Sequence, residues 1–206
     1  MKRFRLFVMI LYILIPFVSY SQDNTPVYAR NVSDVTQPYS DAWIINLTEE
    51  PAGDEAVDNA PECDIAGAMS CYDDDRLRVD IILNHPISWE LDTWYGVEFW
   101  YSDMTEYYIY FPTTEEFILL VMDEYDNIVD DYQLTNDLSG DFATVTSYDG
   151  VEDKSVVIII DKDKHMTGTK GELYYLETSV ASGFFDMEGE FQIADETIYV
   201  DLYFVK

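Results

Sequence analysis

The sequence predicts an all-β protein: an antiparallel β-sandwich, jelly-roll or immunoglobulin-like, of about ten to twelve strands. Three observations carry that expectation. Short segments alternate apolar and other residues with a period of two. Acidic, glycine- or proline-bearing turns separate them at short intervals. No segment holds a helical period with a polar face.

Asp41–Leu47 is the first expected strand, and the polar stretch from Thr48 to Pro61, rich in Pro, Gly and acid, reads as a long surface loop. Ile65, Gly67, Met69 and Cys71 then alternate with smaller or polar neighbours. Tyr72-Asp73-Asp74-Asp75 turns the chain, and Leu77, Val79, Ile81 and Leu83 alternate with Arg76, Arg78 and Asp80. Period two on both arms predicts a half-buried hairpin. Trp94–Tyr101 and Glu106–Phe111 are aromatic strands joined by Ser102–Thr105, and both faces of each are apolar, which suits a central position. Alternation sends Tyr95, Val97, Phe99 and Tyr101 toward the opposite sheet and Trp94 and Trp100 away from it.

Thr113–Glu124 offers two readings. Thr113 with Glu116 matches a helix capping box, but Phe117–Met122 has no polar helical face, and Tyr125-Asp126-Asn127 makes a turn into Ile128–Leu134. A hairpin is expected. Phe142–Ser147, Val156–Ile160, Glu172–Thr178 and Thr197–Val205 complete the set, with short strands near Phe184 and Phe191.

The first 21 residues are expected to be a signal peptide. Lys2, Arg3 and Arg5 precede the apolar run Leu6–Val18, and Ser19 and Ser21 supply small residues before a cut that leaves Gln22 first. That apolar run, about 13 residues, falls short of the roughly 20 of a membrane-spanning helix, with an uncleaved anchor as the alternative reading. Residues 22–40 read as a leader and 41–206 as one β-sandwich domain. The expected location is secreted, periplasmic or at the cell surface, with no membrane insertion after cleavage.

The chain carries a formal charge of −30, which falls to −33 when the three basic residues of the signal segment leave. Such a surface repels phosphate backbones, so nucleic acid is excluded as a partner, and anionic lipid is equally repelled. Cations and basic proteins are attracted. With 16% aromatic and 48% hydrophobic residues the chain has the means to build a core. Cys63 and Cys71 are the two cysteines, and an even count in an exported chain points to a disulfide. An extended strand over 64–71 would hold the sulfurs roughly 25 Å apart, so a bridge needs a bend near Ala66-Gly67-Ala68. The sequence leaves that open.

Three patterns resemble a known family. Trp43 is followed by Glu50-Pro51-Ala52-Gly53-Asp54 and then Asp64-Ile65; Leu77–Leu83 ends near Pro86; and Val156–Ile160 leads through Lys162, Gly168 and Gly171 to Leu173-Tyr174-Tyr175. The set is similar to exported β-sandwich domains of the DOMON-like group and to family 9 carbohydrate-binding modules. The loop begins with Glu50 where the family's motif has Asp. The resemblance implies an 11-stranded or similar sandwich that binds a sugar, a metal or a cofactor.

For chemistry, the loop acids Asp54, Glu55, Asp58 and Asp64 (with Glu62 beside them) have the oxygen ligands that Ca²⁺ takes, without EF-hand spacing. Trp89, Trp94, Trp100, Tyr108 and Tyr110 are candidates for a platform on which sugar rings stack, with core packing as the competing use. Asp161-x-Asp163-x-His165 could offer metal ligands, yet His85 and His165 are the only histidines, which excludes a three-histidine zinc site. No nucleophile elbow, zinc-protease motif or phosphate loop is present. The expected function is a non-catalytic exported domain that binds carbohydrate or a surface or matrix protein, stabilised by calcium. The alternatives are a glycoside hydrolase using paired carboxylates and a purely structural envelope protein.

Overall fold

Alternating apolar residues become strands because each strand must bury one face. The computed structural model describes residues 44–49, 60–72, 75–90, 92–100, 104–125, 127–165, 173–185, 191–197 and 200–205. In chain order, its strands begin with β1 (Ile44–Glu49), β2 (Ile65–Tyr72), β3 (Arg76–Leu83), β4 (Thr93–Trp100), β5 (Met104–Phe111) and β6 (Glu116–Asp123). They continue with β7 (Ile128–Gln133), β8 (Phe142–Tyr148), β9 (Val151–Asp161), β10 (Leu173–Phe185), β11 (Phe191–Glu196) and β12 (Val200–Val205). A 3-10 turn, Pro61–Cys63, precedes β2, and one helical turn, α1 (Lys162–His165), follows β9. The expected signal segment, the leader, Asp54, Glu55 and Asp58 lie outside the described residues.

The strands form two antiparallel sheets. The smaller has the order β1-β2-β3-β9-β8, and the larger β11-β10-β4-β5-β6-β7, with β12 also on β10. The all-β sandwich expectation holds. β10 is longer than the expected Glu172–Thr178 strand and absorbs the short strand near Phe184. Its first half pairs with β12 and its second with β11, while its other edge pairs with β4. Segment 113–124 is not a helix: residues 112–115 turn, with Glu115 at a φ of 56°, and β6 follows. An unbroken apolar run buries both faces as a strand, whereas a helix would leave one of them wet.

Between the sheets lie Leu77, Val79, Ile81 and Leu83 of β3, Val156, Ile158 and Ile160 of β9, and Tyr95, Val97, Phe99, Tyr108, Phe117 and Leu119 of the larger sheet. Phe99 meets Tyr108 edge-on at 5.7 Å between centroids, and Tyr110 meets Phe117 likewise at 6.4 Å. Each such buried side chain contributes about 1.5–3 kcal/mol relative to exposure.

One tight hairpin and one stitched corner lie at the same end of the smaller sheet. Asp149 and Gly150, with φ of 50° and 77°, make the two-residue turn between β8 and β9, the positive-φ pair that matches strand twist. At that end, where the start of β2 lies beside the end of β3 and the start of β9, the 3-10 turn that feeds β2 is bonded to the larger sheet. The Tyr95 hydroxyl donates to Glu62 O at 2.8 Å, the Ser182 hydroxyl donates to Cys63 O, and Ile65 N–H donates to Asp195 Oδ2 at 2.7 Å. No disulfide links Cys63 and Cys71. Burial pushes the Cys63 thiol far up, with the carboxylates of Glu62 and Asp195 adding to the effect, which makes it inert as a nucleophile. Among the described residues no helix is long and apolar enough to cross a membrane.

Candidate functional site

The larger sheet is apolar on its outer face too. Trp94, Ile109, Ile118, Leu120 and Met122 form a second buried cluster there, joined by Tyr107, Phe111, Ala181, Phe185 and Ile193. Phe111 and Phe185 stack with centroids 6.1 Å apart. Period two explains the assembly: Trp94, Gly96, Glu98 and Trp100 share one face of β4, and Tyr107 and Ile109 share the same face of β5.

Two glycines shape this face. A Cβ on Gly183 would stand 2.0 Å from Gln192 O and 2.5 Å from Trp94 Nε1, so only glycine lets the indole lie over β10. Gly96 leaves a notch beside that indole. Around the notch a groove of about 40 Å³ is lined by Trp94, Gly96, Glu98, Tyr107, Ser179 and Glu196. That space holds a water or a projecting hydroxyl, not a whole sugar ring.

Glu98 is the anchored acid of the groove. Its Oε1 accepts the Trp100 indole N–H at 2.5 Å, and its Oε2 accepts the Ser179 hydroxyl at 3.0 Å. Register brings Ser179 opposite Glu98 and Ala181 opposite both Gly96 and Glu196, so three strands contribute neighbouring side chains. Glu196 sits at the rim of the groove and is exposed as a residue, with its carboxyl beside Glu98 and Asp195. Burial of its carboxyl, then the charges of Glu98 and Asp195, push it up to about 7. A carboxyl flanked by like charges keeps its proton longer.

The other residues expected to act at a site are dispersed. Trp94 and Trp100 lie on the outer face, both committed to packing or hydrogen bonding. Tyr108 and Tyr110 point into the core between the sheets, where no ligand reaches them without unpacking it. Trp89 stands apart in the β3–β4 connection, 51% exposed, its indole N–H donating to Asp153 Oδ2 at 2.8 Å. Asp64 is buried beneath the 3-10 turn and accepts Asn84 Nδ2–H at 2.9 Å. Among the described residues no three His, Cys, Asp or Glu side chains converge as metal ligands.

Asp161-x-Asp163-x-His165 forms a local cap: Asp161 Oδ1 accepts Asp163 N–H at 3.0 Å, and His165 Nε2 lies 3.0 Å from Asp141 Oδ2. Burial pushes the Asp141 carboxyl up. The hydrogen bonds from His165 and Asp161 N–H, with the electrostatic pull of His165 and of the Lys164 ammonium, outweigh it and hold Asp141 below the usual carboxylate range. His85 is exposed.

Glu98, Ser179 and Glu196 were not anticipated from the sequence. Glu98 carried a usable signal, as an acid in phase with Trp94 and Trp100 on a strand whose faces are otherwise apolar. Ser179 and Glu196 carried none, because only pairing across β10 places them there. Against known family models, curated proteins and solved structures, the chain finds no match.

Proposed function

We propose that this is an exported, non-catalytic domain that binds carbohydrate on the outer face of the larger sheet. One observation supports the reading above the others: at the Gly96 notch the partly exposed Tyr107 ring, packed over the buried Trp94 and Ile109, borders the exposed Glu196 and the anchored Glu98. Sugar recognition needs that combination, an aromatic face for ring C–H groups and carboxylates for hydroxyls. The small groove takes a hydroxyl or ring edge, with the rest of the sugar lying across the face. Calcium, in this reading, is held by Asp54, Glu55, Asp58 and Asp64 and stabilises the loop before β2.

Calorimetric titration of soluble polysaccharides tests it. Gly96→Val fills the notch and should weaken binding at least roughly tenfold while leaving thermal unfolding cooperative. No binding to a broad glycan panel sinks the proposal. Loss on Trp89→Ala with Gly96→Val unaffected moves the ligand to the exposed indole.

A glycoside hydrolase is the second reading, and the observation in its favour is Glu196, raised to about 7 beside a second carboxyl. Such pairs supply the acid and its partner in glycosidic cleavage. Both oxygens of Glu98 are already engaged, and the groove does not admit a ring between the carboxyls, so binding is preferred. Release of reducing ends, abolished by Glu196→Gln, would reverse that preference.

A further inference from the structure

Strand β7 ends the larger sheet, and it is exposed along most of its length: Val129, Asp130, Asp131, Tyr132 and Gln133 are all exposed, with Val129 at 58% and Tyr132 at 47%. Leu134 N–H donates to Phe117 O of β6 at 2.8 Å. Alternation therefore turns the amides of Asp131 and Gln133 away from β6. The Asp131 N–H is met by its neighbour, donating to Asp130 Oδ1 at 3.0 Å, and the Tyr132 hydroxyl donates to the other oxygen of the same carboxylate. The hairpin that presents this edge is fixed, since Asp123 Oδ1 accepts the N–H groups of Tyr125 and Asn127 at 2.9 and 2.8 Å.

An open edge is a template for another strand. Charge decides which strand. No lysine or arginine occurs between Arg78 and Lys154, a stretch holding eighteen Asp and Glu residues. A second copy laid antiparallel on β7 brings Asp130 and Asp131 against their counterparts, and like charges directly opposite destabilise a pair. We propose that β7 takes up an extended, lysine- or arginine-bearing segment of another protein as an added strand. A cation from that segment draws the Asp130 carboxylate off the Asp131 amide, which is then free to pair, while Val129 and Tyr132 supply apolar contact. This surface is separate from the groove, so it stands or falls independently of sugar binding.

The probe is an alternating (Lys-Thr)4 peptide added to the full chain, read by calorimetry and by amide hydrogen exchange. Exchange at Asp131 and Gln133 should slow. The same peptide N-methylated at alternate amides should bind at least roughly tenfold more weakly, and (Glu-Thr)4 should not bind. Asp130→Lys with Asp131→Lys should abolish binding, whereas Asp149→Lys with Glu152→Lys, an equal charge change on the β8–β9 hairpin, should leave it within about twofold. Equal loss in both double variants, or undiminished binding of the N-methylated peptide, means diffuse charge attraction and overturns the proposal. Concentration-dependent protection of the same amides without peptide means that the edge pairs with a second copy, which overturns it as well.

Discussion

The carboxylate of Asp195 on β11 accepts the backbone N–H of Ile65, the first residue of β2, at 2.7 Å. The two residues are 130 positions apart and belong to different sheets. At a bulge in the β2–β3 pairing, the Ile65 amide uses a side chain as its acceptor, and a buried donor left without one is costly. Asp195→Ala should lower stability by about 1–3 kcal/mol in denaturant unfolding, and Asp195→Asn, which keeps an acceptor, should recover part of the loss. Equal effects of the two would show that the bond is not what Asp195 contributes.

Gly183 is held by Trp94. Because a Cβ there collides with backbone as well as with the indole, Gly183→Ala should cost about 1–3 kcal/mol, the range for overpacking. Near-ultraviolet circular dichroism of the tryptophans should change with it. An unchanged tryptophan signal in a destabilised variant would place the strain in the β10–β11 bulge instead.

Glu196 should make stability pH-dependent in the alkaline direction. Its folded pKa of about 7 lies above the ordinary glutamate value of about 4.3. The folded state therefore binds the proton more tightly, an advantage present below pH 4 and lost as pH rises through about 7. Glu196→Gln should raise the melting temperature relative to the parent at pH 8 and change it little at pH 4. The reverse order would contradict the carboxyl environment described.

Asp141 works in the opposite sense. With its folded pKa below the ordinary value, its contribution is present above about pH 4 and lost as pH falls below that. Asp141→Asn should destabilise at pH 7, and the difference from the parent should shrink on acidification below pH 4. A difference independent of pH would mean that the charge is irrelevant.

Arg78 and Asp80 form a buried bidentate pair on the outer face of β3, with bonds of 2.7 and 2.8 Å. Asp80→Ala, which removes the carboxylate of a buried pair, should cost about 3–5 kcal/mol, and the double change Arg78→Met with Asp80→Leu should cost less than the single one. A double variant worse than the single would indicate that the pair is net stabilising.

Calcium should raise the melting temperature of chelator-treated protein more than magnesium or sodium at matched ionic strength, by up to about 2.7 kcal/mol at a hundredfold excess over Kd. Asp54→Asn should remove most of the gain. No difference between the cations would eliminate the site.

How the strands run was legible in the sequence wherever burial alternates with period two. β3, β4 and β5 follow directly from Leu77–Leu83, Tyr95–Phe99 and Glu106–Phe111, because each strand's pattern is a local consequence of having one face in the core. The inward set Tyr95, Val97 and Phe99 was legible for the same reason, as was β6, since a helix would have wetted part of Phe117–Met122. What lies opposite what was not legible. Trp94 over Gly183, Ser179 beside Glu98, and Asp195 on Ile65 are contacts between residues far apart in sequence, and local pattern carries no information about register across a sheet. For that reason, sequence chose the aromatics as the candidate site, while the tertiary structure buried Tyr108 and Tyr110 between the sheets and joined Trp94 to two glutamates and a serine on the outer face.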